Sequence, residues 1–347
     1  MKIGVCSPID RVDHLENLGY DQLELTIGGI YELNDEEFAA LKQRLADRKI
    51  KVKSANCMLH GSLPQAYLDT GLEKTRAYLA TVMPRLKELG ITIAVFGSGY
   101  HRRMPEDMPV DQRRQIIRDL LTVIEAEARK NGITVVVEPL NKKETNMLLT
   151  TEEAMGYIRE LNLPNLKLLV DLYHFCYEGE TLDRIYEYGP YIKHVHIVEP
   201  SRRTFLRAGD AYDYRAFVKA LHDMGYDGAL MFEGNGENYE EGIAESYPVL
   251  RTLVDEVCGL IDTRCGLRCE SCSYKAPCNC NGCIATEGHP FHGECPVAQC
   301  CQGRGLVHCG ECEVFPCDLL QQYSRDPEHG DTPPGARIEQ CRRWAAK

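Results

Sequence analysis

Eight short apolar runs recur along the first 258 residues, and each gives way to a stretch with helical periodicity and charge. The runs are 2–7, 22–27, 51–59, 91–99, 133–141, 166–174, 192–200 and 229–234, rich in valine, isoleucine and leucine. Continuous apolar strands suit a sheet covered on both faces. The helical stretches fall near 10–18, 36–48, 72–89, 111–131, 151–161, 182–188, 213–224 and 240–258. Asp35 and Thr151 are helix-starting residue types, and Gly90 and Gly132 follow two of the stretches as stop signals. A doubly wound open sheet shares this alternation, but no glycine fingerprint follows the first run. Eight strand–helix units over about 250 residues predict an α/β chain closed into a (β/α)8 TIM barrel.

In such a barrel the chemistry gathers at the C-terminal ends of the strands. Strand 5 runs through three valines into Glu138, and strand 6 into Asp171 and then His174. Strand 7 carries His194 and His196, and strand 8 ends in Glu233. Burying a carboxylate unpaired is costly, and one cation shared by Glu138, Asp171, His196 and Glu233 offsets that cost at four strand ends. Three carboxylates and an imidazole suit a hard or borderline divalent ion, Mn²⁺ first, with Mg²⁺ or Co²⁺ as alternatives. Taken singly, each residue is better explained by a salt bridge at the barrel mouth. His194, one layer deeper than His196, reads as a hydrogen-bonded core histidine. His60, after strand 3, and Glu24, on strand 2, are pocket-lining candidates. Cys6 and Cys57 read as small core residues. Arg102 and Arg103 fit either a phosphate contact or a solvated loop.

The chain has 347 residues and a formal charge of −12. That balance argues against nucleic acid as a partner, because phosphate backbones need a basic surface. No long uncharged apolar stretch suggests a membrane span, and the N-terminus lacks the apolar run of a secretory signal. A cytoplasmic protein is expected. Of the 17 cysteines, four (Cys6, Cys57, Cys176 and Cys258) precede residue 263 and thirteen follow. This step divides the chain into a barrel over 1–260 and a cysteine-rich domain over 261–347.

The strand-end motifs resemble the sugar phosphate isomerase/epimerase superfamily with the xylose-isomerase-like barrel, most closely the ketose 3-epimerases of the tagatose/psicose type. The resemblance rests on EPLNKKE (Glu138, Glu144), DLYH (Asp171, His174), HIVEPSR (His196, Glu199, Arg202) and MFEG (Glu233), with the loop FGSGYHRRMP at 96–105. It implies a metal-dependent enzyme in which Glu138 and Glu233 are both ligands and the acid/base pair that moves a proton through an enediolate. It implies that His174 and Arg202 hold substrate oxygens, that Glu144 orients a hydroxyl or a ligand, and that Glu199 buttresses a ligand. The implied partner is a small sugar or sugar phosphate, and a homo-oligomer is compatible with it. Aldose–ketose and hydroxypyruvate-type isomerases share this frame. A non-catalytic sugar- or metal-sensing protein is the rival of another class.

The tail presents Cys265, Cys269, Cys272, Cys278, Cys280, Cys283, Cys295, Cys300, Cys301, Cys309, Cys312 and Cys317. CxxC pairs at 269–272, 280–283 and 309–312 let two thiolates grip one ion. Zn²⁺ is the expected structural metal, ahead of an iron–sulfur cluster or a disulfide framework, and His289, His292 or His308 could replace a thiolate. The segment is thin in large aliphatics and is expected to need metal to fold. Its CGLxCxxC opening and CGxCxxFPC close resemble a small cysteine-rich family of unknown function, which transfers no activity.

Overall fold

The computed structural model describes residues 1–235, 238–259, 261, 263–269, 272 and 274–345. Two compact units divide the chain, Met1–Leu253 and Val254–Lys347.

In the first unit eight parallel strands close on themselves in sequence order: β1 (Lys2–Cys6), β2 (Gln22–Thr26), β3 (Ser54–Asn56), β4 (Ile93–Phe96), β5 (Thr134–Val137), β6 (Leu166–Asp171), β7 (Ile192–Ile197) and β8 (Ala229–Phe232). The strands lie inside the eight expected runs, and β1 pairs with β8 to complete the barrel. The eight expected helices are also present: α1 (Val12–Leu18), α3 (Asp35–Ala46), α4 (Glu73–Glu88), α6 (Val110–Lys130), α7 (Thr151–Leu161), α9 (Asp183–Tyr188), α10 (Tyr214–Asp223) and α11 (Tyr239–Gly259). Three further short helices are present: α2 (Ile27–Glu32) and α8 (Leu172–Tyr177) follow β2 and β6 directly, and α5 (Gly99–Arg102) follows β4 after two residues. No helix among the described residues is long and apolar enough to cross a membrane.

Local chemistry explains the boundaries. Asn34 caps α3 by accepting from the amides of Glu36 and Glu37, while Glu37 accepts from the Asn34 amide. Thr150 caps α7 through the Glu153 amide. Each cap therefore sits one residue before the expected start. Gly90 and Gly132 have φ of +75° and +72°, the left-handed conformation that ends a helix cheaply only at glycine.

Side chains alternate across each strand. Val95, Val136 and Leu169 form one fully buried cluster, and the next residues on the same faces of β5 and β6 are Glu138 and Asp171. The step from aliphatic to acid thus occurs within a two-residue rise.

The second unit contains α12 (Gly282–Ala285), α13 (Pro296–Gly303), α14 (Asp318–Ser324) and α15 (Ala336–Ala345). Its core gathers Val297, Leu320, Ile338 and Trp344 around Cys265, Cys301, Cys309 and Cys341. Among the described residues, no disulfide joins the tail cysteines. Asp331 ties this unit together by accepting from Ser324 Oγ at 2.5 Å, the Arg337 amide at 2.9 Å and Arg337 Nε at 2.5 Å.

Candidate metal centre and active site

Glu138, Asp171, His196 and Glu233 converge at the C-terminal mouth of the barrel, with one ligand atom from each lying within 4.8 Å of all the others. His196 Nδ1 stands 3.4 Å from Glu138 Oε1, 3.7 Å from Asp171 Oδ2 and 3.4 Å from Glu233 Oε2. Register helps to place them, since Asp171 on β6 pairs directly with His196 on β7. Gly97, at the end of β4, leaves the room: a Cβ built there would overlap Glu138 Oε2.

The orientation of His196 is fixed from behind. Glu24, on β2, is buried beneath the cluster. Its carboxylate takes His196 Nε2 at 3.0 Å and His194 Nε2 at 2.6 Å, one on each oxygen. With its Nε2 proton given to Glu24, His196 turns the lone pair of Nδ1 towards three acids. Cys6 donates to the same Glu24 oxygen at 3.3 Å, and Cys6, Glu24 and His196 form a second converging group.

The buried atoms Glu138 Oε1, Asp171 Oδ2 and His196 Nδ1 have no hydrogen-bond partner among the described residues. Asp171 Oδ1 is spent on the His174 amide at 3.0 Å, which starts α8. Three orphaned donor atoms, all able to give lone pairs to one point, fit a divalent cation. Without one, protons must fill the gap. Burial pushes the Asp171 carboxyl up to about 8, aided by the charges of Glu233 and Glu138. Burial likewise raises Glu138 despite His196. Glu233 is only half-buried, and His196 and then Arg203 outweigh its desolvation and hold it at about 2. Burial lowers the basicity of His196, yet Glu233 and Glu24 reverse this and bring it well above an ordinary imidazole. The paired glutamates of β5 and β8 are thus driven in opposite directions.

Around the cluster, His174 Nδ1 accepts from the Asn141 amide at 3.1 Å and faces Asn141 Nδ2 at 2.9 Å. This fixes Nε2 as the protonated nitrogen, and Nε2 has no hydrogen-bond partner among the described residues. Its closest acid is Glu144 Oε2, at 4.0 Å. Burial holds His174 neutral, at about 3.

Arg202 does not reach the cluster. It is 64% exposed and pairs with Glu199 at 3.2 Å and Asp210 at 3.4 Å. Its neighbour Arg203, at φ +56°, points inward instead. Arg203 Nη2 donates to Glu233 Oε2 at 2.9 Å and Nη1 to Glu144 Oε1 at 3.0 Å, with the guanidinium over the Tyr173 ring. Glu199 accepts from Ser201 Oγ and the Arg202 amide, so it shapes this loop and supports none of the four cluster residues. His60 lies apart, held by Glu32 at 2.9 Å and Ser62 at 2.7 Å.

Arg102 is fully buried. It donates to the carbonyl oxygens of Glu138 at 2.8 Å and Leu148 at 3.3 Å, bracing the strand end that carries Glu138. This replaces both expectations for it, phosphate contact and solvated loop. Cys57 is exposed and Cys6 half-buried, so neither is a core residue.

Among the described residues, the two groups that converge in this way are both in the barrel, and the tail thiols form no third.

Residues 12–253 match a family model described as the xylose isomerase-like TIM barrel. Residues 261–322 match one described as a protein of unknown function (DUF3795). A ketose 3-epimerase of Arthrobacter globiformis is 41% identical over 103 residues, 29% of this chain and 35% of that protein. The 3-dehydro-D-guloside 4-epimerase of Escherichia coli K12 is 24% identical over 253 residues, 70% of this chain and 94% of that protein. A crystal structure of a D-psicose 3-epimerase in the presence of D-fructose superposes with a TM-score of 0.65 at 20% identity, covering 75% of this chain and all of that one.

Proposed function

The chain belongs to the xylose isomerase-like TIM barrel family, and from that premise we propose a divalent-metal-dependent sugar epimerase or isomerase, most like a ketose 3-epimerase. The observation that carries the reading is the convergence of Glu138, Asp171, His196 and Glu233 with three of their donor atoms unpaired. The names of the relatives support the sugar class.

Glu138, Asp171, His196 and Glu233 hold the cation, with Mn²⁺ the first choice. When bound, it supplies a Lewis acid that polarises the carbonyl of the substrate. Glu138 and Glu233 approach from β5 and β8, separated around the barrel by β6 and β7. One takes the proton alpha to the carbonyl and the other returns it to the opposite face of the enediolate. Arg203 binds substrate oxygens and balances the growing negative charge, and the Nε2 proton of His174 donates to a hydroxyl. Glu144 positions Arg203 through its 3.0 Å contact. Aldose–ketose isomerisation through a 1,2-enediol uses the same groups, and product analysis separates the two.

The test is exchange of substrate protons with D₂O, using the Mn²⁺-loaded protein and a panel of ketoses and ketose phosphates. Exchange at the carbon next to the carbonyl is expected, and Glu233→Gln is expected to abolish it. Retention of full exchange by that variant overturns the acid/base assignment, and failure of every sugar to exchange supports a sensor instead. For the tail, the three CxxC pairs support a structural Zn²⁺. Elemental analysis of anaerobically purified full-length protein should find zinc rather than iron beyond the barrel's own ion.

A further inference from the structure

A cavity of about 520 Å³ opens between the ends of β1 and β2 and the helices α2 and α3. One end is polar and borders the metal centre through Glu24, which holds His196 at 3.0 Å. Cys6 and Glu24 line it, and so does Asn56, whose Nδ2 lies 3.4 Å from Glu233 Oε1. Asn56 is 95% buried by its 5% exposure, and its Oδ1 has no hydrogen-bond partner among the described residues. The other end is aliphatic, walled by Ile9, Ile30, Leu33, Ala40 and Leu41.

The charged residues on this wall are already engaged. Glu37 completes the α3 capping box through the Asn34 amide at 2.9 Å. Arg44 sits against the Asp10 carbonyl at 3.3 Å and the Asp13 carboxylate at 3.6 Å. Arg44, the one cation among the described lining residues, is thus already paired, and Glu37 would repel a phosphate. At the mouth, two acids already balance the charge of Arg203, leaving its Nε for a neutral substrate oxygen, and Arg102 is bound to backbone carbonyls. A ligand filling this space meets the Asn56 amide oxygen and the Glu24 carboxylate at one end, beside the metal centre, and mostly hydrocarbon at the other. That profile is a sugar ring bearing an apolar substituent, because such pockets gain affinity from apolar burial and orientation from a few polar groups.

We propose that this cavity is a subsite for an aryl or alkyl aglycone, so that the barrel acts on glycoside-type keto sugars in preference to free or phosphorylated ones. The catalytic half rests on the function proposed above, and the binding half does not. Asn56 Oδ1 accepts from a sugar hydroxyl while the aglycone lies along Ile30, Leu33 and Leu41.

The experiment is calorimetric titration of the Mn²⁺-loaded full-length protein with methyl and phenyl glycosides of glucose, galactose and mannose, and with glucose 6-phosphate. Phenyl glycosides are expected to bind about tenfold or more tightly than their methyl partners, from burial of the ring. Ala40→Phe, at an exposed position of α3 that lines the cavity, and Leu33→Trp narrow it from two sides. Each is expected to bring the phenyl-to-methyl ratio down towards one, and circular dichroism checks that each folds. A ratio near one for every pair in the wild-type protein overturns the proposal. So does a ratio that both folded variants leave intact, or tighter binding of glucose 6-phosphate than of any phenyl glycoside. A preserved phenyl preference with no exchange in any sugar strikes the catalytic reading alone. Exchange in free ketoses without phenyl preference strikes the subsite alone.

Discussion

The most informative single substitution is Glu24→Gln, which changes one atom and keeps the shape of the side chain. Glu24 accepts from two imidazoles at 2.6 and 3.0 Å, with both partners buried. A glutamine can accept from one of them only, and its NH₂ must face the other. If His196 is the loser, its Nε2 becomes the acceptor and its proton moves to Nδ1. The lone pair that faces Glu138, Asp171 and Glu233 is then gone. A buried hydrogen bond to a charged group contributes about 1.5–3 kcal/mol, so the wild-type tautomer is well enforced and the variant's is not. Loss of such a ligand-orienting partner lowers metal affinity about 10–100-fold, or about 1.4–2.7 kcal/mol. Titration with Mn²⁺, following the free ion by electron paramagnetic resonance, measures this directly. Glu144→Gln is the control, because Glu144 touches Arg203 and not His196. An unchanged affinity in folded Glu24→Gln, or an equal loss in Glu144→Gln, refutes the reasoning.

Gly97→Ala should push the Glu138 carboxylate off the cluster, lowering Mn²⁺ affinity about tenfold or more while leaving the far-ultraviolet spectrum unchanged. Arg102→Met removes a buried guanidinium from two backbone carbonyls and should cost about 3–5 kcal/mol in urea unfolding. The Asp171 carboxyl is raised to about 8, first by burial and then by Glu233 and Glu138, against about 4 in an unfolded chain. Between those values the cation-free folded state keeps a proton that the unfolded state has lost. Stability from this group is therefore full below about pH 4 and lost as pH rises towards 8. Mn²⁺ displaces that proton, so the gain in Tm on adding Mn²⁺ should be larger at pH 8 than at pH 6. An equal gain at both would count against Asp171 as a ligand.

The barrel was legible because its signal is periodic and repeated eight times, and Glu138, Asp171 and Glu233 because each closes a largely aliphatic strand run, with His196 marked by its place near the end of β7. What escaped the sequence is contact between distant strands. Glu24 and His196 are 172 residues apart and meet across the barrel interior, a relation that no local spacing encodes. The choice between adjacent arginines escaped for a different reason. Arg203 adopts a left-handed backbone, and this single torsion decides which guanidinium enters the site. The short helices escaped because their first turns continue the apolar strand runs. Thr26 and Asp171 end β2 and β6 by capping α2 and α8 with their own side chains, and composition does not separate the two states. Arg102 is a further case, since its sequence neighbourhood is polar while its side chain is fully enclosed.

The carboxylate of Asp171 is divided, with one oxygen on the His174 amide and the other facing the cluster. Filling the centre and anchoring the first turn of α8 are therefore two halves of one act. The amide hydrogen of residue 174 becomes a built-in gauge of occupancy, expected to exchange with solvent more slowly as the ion is loaded. The imidazole on the same residue is steadied with it, so the cation sharpens the pocket's hydrogen-bonding wall without touching it.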